Sequence, residues 1–155
     1  MTLMHNHTLT REQRIDRPIK EVFDFFSQAE NLEALTPAFL RFRYLTPLPI
    51  EMCEGARIDY ALSLFGLPIR WRTRITAWQP GRRFIDEQES GPYALWRHEH
   101  VFESASDATV MRDVVTYREP LGVLGSAAHV LFVERLLGRI FDYRRDATAR
   151  LLARD

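Results

Sequence analysis

The chain has 155 residues, 46% of them hydrophobic and 27% charged, with 21 basic and 21 acidic side chains and a formal net charge of zero. That composition predicts one globular domain over 1–155 and argues against nucleic acid as a partner, because phosphate binding needs a net basic surface or stripe. The single cysteine, Cys53, excludes an intrachain disulfide, and its neighbours Met52 and Glu54 do nothing to activate the thiol.

Met1 to Leu9 contains His5 and His7 but no apolar signal core. The longest apolar run, Ala61 to Ile69, is interrupted by Ser63, Gly66 and Pro68 and is far too short to span a bilayer. The predicted location is the cytoplasm.

Thr8 to Ile15 reads as a first strand that ends at Asp16-Arg17-Pro18. Pro18 suits the first turn of a helix, with Asp16 or Arg17 near the cap and Val22, Phe23, Phe25 and Phe26 as its buried face. A second short helix is predicted from Ala29 to Leu35, stopping before Thr36-Pro37, and a short strand from Phe42 to Leu45 precedes the loop Thr46-Pro47-Leu48-Pro49. Antiparallel strands then follow one another: Arg57 to Phe65, Ile69 to Trp78, Arg83 to Glu89, Tyr93 to Glu103 and Thr109 to Arg118. Their turns are marked by Gly66-Leu67-Pro68, Pro80-Gly81, Ser90-Gly91-Pro92 and Ser104 to Ala108. Glu119-Pro120 breaks the pattern. Arg70, Arg72 and Arg74 make a basic strand face, and Asp86, Glu87 and Glu89 on the next strand suit cross-strand ion pairs with it.

From Leu121 to Leu152 there is no proline, and the spacing predicts one long amphipathic helix. At about 100° per residue, Phe132, Val133, Leu136, Leu137, Ile140, Phe141, Tyr143, Ala147 and Leu151 fall on one half, with Glu134, Arg135, Arg139, Asp142, Arg145 and Asp146 on the other. So wide an apolar face needs a broad partner, and the preceding segments supply only a sheet. A helix across a curved sheet encloses a cavity, so the layout suggests ligand binding.

Strand alternation selects the side chains that face inward. On Tyr93 to Glu103 these are Trp96, His98, His100 and Phe102; on Thr109 to Arg118 they are Met111, Asp113, Val115 and Tyr117. Phe84, Asp86 and Gln88 continue the face on one side, then Trp71, Thr73 and Ile75, then Tyr60 and Leu62. His129 and Arg144 lie on the apolar half of the helix, and a buried Arg144 needs an acid, with Asp113 the first candidate. The candidate ligand-binding set is therefore Tyr60, Trp71, Asp86, Gln88, Trp96, His98, His100, Asp113, Tyr117, His129 and Arg144.

Three readings of this polar group stand side by side: a structural network of paired charges, recognition of a ligand's polar end, and acid–base catalysis. The aromatic residues Trp71, Trp78, Trp96, Phe84, Phe102 and Tyr117 are either plain core or a ligand cage. His98-x-His100 sets two imidazoles on one strand face, and a metal there would need Asp86, Asp113 or His129 as third ligand. No metal and no cofactor is expected: there is no paired cysteine, helical metal motif, phosphate loop, nucleophile elbow or dinucleotide fingerprint. Gly122 and Gly125 fit a close-packed helix start better than a phosphate loop. Leu48, Ile50, Met52, Phe65 and Leu67 sit in loops that suit contact with a hydrophobic ligand or a second subunit.

The order of elements resembles the helix-grip superfamily that includes START domains, the birch-pollen allergen and bacterial polyketide cyclase/dehydrase-like proteins (SRPBCC). More specific likenesses lie in Ile15-Asp16-Arg17-Pro18 with Glu21-Val22-Phe23, in Asn31-Leu32-Glu33 and Thr36-Pro37, and in Trp78-Gln79-Pro80 with Arg83-Phe84-Ile85-Asp86. Gly91-Pro92-Tyr93, Trp96-Arg97-His98-Glu99-His100 and Ile140-Phe141-Asp142-Tyr143-Arg144 extend them. Together they resemble a bacterial branch sometimes found beside or fused to sugar-nucleotide-epimerase-like proteins.

The resemblance implies an α+β fold: a seven-stranded curved antiparallel sheet wrapped around a long C-terminal helix, with two short helices between the first two strands. It implies a cavity for a hydrophobic or amphipathic small molecule and, more in keeping with these residues, binding without catalysis. A cyclase/dehydratase-like enzyme using a His/Asp pair is the alternative. A protein-interaction module with an epimerase-like partner, or a homodimer, is a further one.

Overall fold

The computed structural model describes residues 5–64, 66–120, 127 and 129–153, without the side chains of residues 129 and 130. Phe65, Gly122, Gly125 and the side chain of His129 therefore lie outside the described residues. Seven strands form one antiparallel sheet: β1 (His7–Ile15), β2 (Arg43–Tyr44), β3 (Arg57–Leu64), β4 (Leu67–Gln79), β5 (Arg83–Ser90), β6 (Leu95–Ala105) and β7 (Ala108–Arg118). Their order across the sheet is β1-β7-β6-β5-β4-β3-β2, so the first strand closes against the last. Helix α1 (Ile19–Phe26) and two 3-10 turns, Ala29–Leu32 and Ala38–Leu40, separate β1 from β2. A π-helical segment, His129–Val133, leads into helix α2 (Glu134–Leu151).

The sheet curves for identifiable reasons. Register shifts between Arg72 and Thr73 and between Ile75 and Ala77 set extra residues into β5 and β4 respectively, and such bulges bend a strand and increase its twist. Gly66 and Gly81 carry positive φ at the β3–β4 and β4–β5 turns, which only glycine adopts without strain.

Two predicted boundaries move. Pro18 is itself the cap residue of α1 and no side chain caps that helix, so neither Asp16 nor Arg17 does so. The helix predicted over Ala29 to Leu35 is one 3-10 turn. There Asn31 donates to Phe25 O at 2.8 Å and Thr36 Oγ1 to Leu32 O at 2.7 Å, side-chain bonds that compete with helical ones.

The concave face packs in two clusters. One joins α1 to the near end of the sheet through Val22, Phe23, Phe26, Phe84, Phe102 and Met111, with Ala147 from α2 and Trp78 and Tyr143 against it. The other joins α2 to the far end through Trp71, Trp96, Val115, Tyr117, Leu137 and Phe141. Leu136, Ile140 and Tyr143 are half-buried. Leu136 and Ile140 look into a cavity, and Tyr143 packs at the edge of the first cluster.

Phe132 and Leu151, on the predicted apolar face, are 60% and 45% exposed, although Phe132 still lines the cavity. Phe132 sits in the π-helical segment, whose wider turn shifts the angular phase assumed for a regular helix. Leu151 is the last residue of α2, beyond its packed length. No helix among the described residues is long and apolar enough to cross a membrane.

On the convex face the basic stripe pairs partly as predicted, Arg74 with Glu89, and partly with another strand. Arg72 meets Asp59 on β3 at 2.7 Å, while Glu89 serves Arg57 at 2.9 Å and Arg74 at 3.9 Å. Asp86 takes no part. It faces the interior.

Candidate functional site: a cavity with a buried His–Asp quartet

A cavity of about 430 Å³ lies between the sheet and α2. Its walls come from β3 (Ile58, Tyr60, Leu62, Leu64), β4 (Ile69, Trp71, Thr73, Ile75) and the α1–β2 region (Phe26, Leu32, Leu35, Leu40, Phe42). Helix α2 closes it with Leu136, Leu137, Ile140, Phe141 and Arg144. Asp86, His98 and His100 reach it from β5 and β6, and Gln28, Asn31, Thr36, Thr73 and Glu119 are further polar residues of the wall.

His98 and His100 are 5% and 4% exposed, and their rings stack with centroids 3.7 Å apart. Phe84 continues the column, stacked on His100 at 4.0 Å, and Phe141 meets His98 edge-on at 5.4 Å. Strand alternation puts both histidines on one face. Registers pairing Asp86 with His98 and Asp113 with His100 bring a carboxylate to either side.

His98 Nε2 lies 2.7 Å from Asp113 Oδ1, and His98 Nδ1 lies 3.8 Å from Asp86 Oδ2. His100 runs the opposite way, with Nε2 2.6 Å from Asp86 Oδ2 and Nδ1 3.4 Å from Asp113 Oδ1. Each imidazole therefore bridges the same two carboxylates in antiparallel orientation.

The charge states follow from these contacts. Burial works to raise the Asp113 pKa, but the hydrogen bond from His98 and the charges of His98, His100 and Arg144 outweigh it and hold the carboxyl at about 2. Asp86 has the same opposition: burial raises it, while the bond from His100 and the charges of His98, His100 and Arg144 bring it below its ordinary value. Burial, then the neighbouring His98, pushes His100 down to about 4 against the pull of Asp86 and Asp113. An ionised carboxylate only accepts, so His100 Nε2 carries the proton and donates to Asp86. His100 Nδ1 is left as a buried atom without a hydrogen-bond partner.

Among the predicted site residues, Tyr60, Trp71, Asp86, Trp96, His98, His100 and Arg144 line the cavity. Asp113 stands behind the histidines, in a separate pocket of about 50 Å³ whose lining includes Arg11, Glu12, Gln13 and Thr148. Gln88 turns away to bracket the β5–β6 turn: Nε2 donates to Tyr93 O at 2.8 Å and Oε1 accepts from Tyr93 N at 3.1 Å. Tyr117 is buried in the second cluster rather than lining the cavity.

The Arg144–Asp113 pair expected from the helix phase is not made. Asp113 is engaged by His98, and the Arg144 guanidinium sits 5.6 Å from the Phe141 ring centroid with no carboxylate paired to it among the described residues. Trp71, Trp96 and Phe84 are wall residues, whereas Trp78 and Phe102 are core behind them.

Tyr93 and the apolar residues of the α1–β2 region were missed as lining. Tyr93 packs 4.9 Å from Trp96. Their signal was weak because side chains from turns have no periodicity to mark a face. Of the loop residues singled out, Met52 reaches the cavity, while Leu48 and Leu67 are 46% and 67% exposed.

One potential ligand atom from each of Asp86, His98 and His100 lies within 4.8 Å of the others. The histidine rings are stacked only 28° from parallel, so one ion could not sit in both ring planes without a ring turning, and each short contact is already a hydrogen bond. The arrangement is suited to holding and passing protons.

Solved structures share this architecture. An aromatase/cyclase of a Streptomyces species superposes with a TM-score of 0.74 at 14% identity, over 96% of this chain and 94% of that one. The chain has the helix-grip fold. Norcoclaurine synthase of Thalictrum flavum, solved with dopamine and hydroxybenzaldehyde, matches the helix-grip chain with a TM-score of 0.69 at 11% identity, covering 96% and 87% of the two chains. A nucleoside-diphosphate sugar epimerase of Corynebacterium glutamicum matches it with a TM-score of 0.66 at 25% identity, over 92% of this chain and 28% of that one. No protein-family model and no curated protein sequence matches the helix-grip chain.

Proposed function

We propose that the chain binds a hydrophobic or amphipathic small molecule in the cavity between the sheet and α2, without chemical conversion. The carrying observation is the cavity itself: its volume falls within the roughly 300–1,000 Å³ of small-molecule sites, and its wall is predominantly apolar, with the His–Asp group among its polar residues. The apolar wall supplies affinity through burial, and the Asp86, His98, His100 and Arg144 group orients a polar end.

Trp71 Nε1 adds a buried donor without a partner in the cavity wall, and the Tyr60 phenol, its pKa raised by burial and by Asp86, stays protonated and able to donate. Extraction of the purified protein with organic solvent, followed by mass spectrometry, should release a bound apolar compound. A Leu62→Trp variant, which fills the cavity, should retain its fold and lose that compound; retention of the compound would refute the site.

A second reading, a cyclase/dehydratase-like enzyme, draws support from the two hydrogen-bonded His–Asp pairs beside a ligand-sized cavity and from the likeness to an aromatase/cyclase. Conversion of a polyketone probe lost in His98→Gln and His100→Gln, with probe binding retained, would favour it. A third reading, action beside an epimerase-like protein, draws support from the likeness to part of a longer epimerase chain. Co-purification with such a partner tests it.

A further inference from the structure

We infer that the His–Asp quartet is a proton path through the wall of the cavity, joining the ligand space to the separate pocket beside β1. The two spaces share Phe26, Phe141 and Arg144 as a dividing wall. Asp86 opens on the cavity side and Asp113 on the pocket side, and each imidazole touches both carboxylates. The rim of the pocket reaches the surface at the exposed residues Glu12 and Arg145.

The antiparallel orientation of the rings gives the path two directions. His100 holds its proton on Nε2, toward Asp86, and presents a bare Nδ1 to Asp113. A proton arriving from pocket water onto Asp113 therefore passes as Asp113 O–H to His100 Nδ1, while His100 Nε2–H passes to Asp86. Asp86 O–H then protonates a ligand base. Each step breaks one O–H or N–H bond and makes another, so two protons each shift by one bond, the net transfer is one proton, nothing is oxidised or reduced, and reversal of the same two shifts restores the Nε2–H form of His100.

His98 supplies the return. Its Nε2 donates to Asp113, and its Nδ1 faces Asp86. A proton taken from the ligand by Asp86 goes to His98 Nδ1, and Nε2–H goes out to Asp113. The two longer gaps, 3.4 and 3.8 Å, close with thermal displacements of about 0.5 Å on each partner.

The surrounding charges leave the path neutralised rather than trapped. On the pocket side Arg11 pairs with Asp142, Glu12 with Arg112 and Arg145 with Asp146. On the cavity side Arg144 lowers both carboxyls without pairing to either, and Tyr60 is the nearby phenol. A ligand that fills the cavity shuts out water there, and acid–base exchange with it would otherwise stop. The class of ligand that uses such a path is one with an exchangeable proton, such as an enolisable ketone or a phenol.

Use of the path rests on a ligand occupying the cavity, but its existence does not, so the test is made in a Leu62→Trp background, whose filled cavity keeps water from the Asp86 side, and its failure leaves the binding reading standing. Histidine labelled with ¹⁵N in the full chain reports the tautomer by long-range ¹H–¹⁵N correlation and the exchange of each ring proton with water. At pH 8 both rings should carry the proton on Nε2. Asp113→Asn, which cannot relay, should slow exchange of the His100 Nε2 proton at least tenfold. Thr148→Leu, which fills the small pocket and leaves the quartet intact, should slow both rings, and it decides alone if the asparagine variant does not fold. Exchange in Thr148→Leu at the rate of the Leu62→Trp background, or a His100 proton found on Nδ1, would overturn the proton path.

Discussion

His98 and His100 stand two residues apart on β6, and their rings stack 3.7 Å between centroids with 28° between planes. Stacking at that distance, in a buried site, means that a charge on one ring opposes a charge on the other. Two flanking carboxylates keep the pair in place without needing both rings to be cationic.

The first prediction concerns acid. The folded protein holds His100 at about 4, against about 6.5 for an unfolded histidine. As pH falls from 6.5 to 4 the unfolded chain takes up a proton that the folded one refuses, so stability falls by on the order of 3 kcal/mol and then levels off. Asp113, at about 2 against about 3.9 unfolded, contributes stability that is complete above 3.9 and lost as pH falls through 2. Urea midpoints should therefore drop in two stages below pH 6.5. A midpoint flat from pH 7 to 4 would contradict the buried neutral His100.

Removal of packing should cost more at a buried residue of the helix than at a half-buried one beside it. Leu137 is 4% exposed within the second cluster, and Leu137→Ala should cost about 2–5 kcal/mol. Leu136, one residue earlier, faces the cavity and is only half-buried, so its truncation should cost less than half as much. Equal losses on urea denaturation would mean that the cavity is closed up in solution.

Pairing can be read from double-mutant cycles. His98→Phe and Asp113→Asn should be coupled by about 0.5–3 kcal/mol, as expected of contacting partners. Arg144→Met with Asp113→Asn should couple more weakly than that pair, because Asp113 is hydrogen-bonded to His98 and feels Arg144 only as a nearby charge. A larger coupling in the second cycle would restore the ion pair predicted from the helix phase.

Gly91 offers a local test. A Cβ there would lie 2.7 Å from Gln88 Oε1, whose amide brackets Tyr93 with two hydrogen bonds. Gly91→Ala should push Gln88 aside and cost about 1–3 kcal/mol, and Gln88→Ala should cost a similar amount by the same loss. If the two substitutions were additive in the double variant, their effects would be independent of that shared contact.

The sequence by itself determined the strands, their order along the chain and the inward faces of β3 to β7. Alternation has a period of two, so once Trp96 and Phe102 face inward, His98 and His100 must as well. It also determined that an amphipathic helix covers that face, since Leu137, Phe141 and Ala147 recur at helical spacing and all three are buried.

The partners were decided only in three dimensions. Asp113 was legible as an inward acid, but whether it met Arg144 or His98 depended on the register of β6 against β7 and on the rotation of α2 behind its π-helical turn. Gln88 shared the inward phase of Asp86, yet the β5–β6 turn claimed its amide. The cavity wall from the α1–β2 region was invisible for a related reason: side chains in turns follow no period, so only the packed chain shows which of them meet.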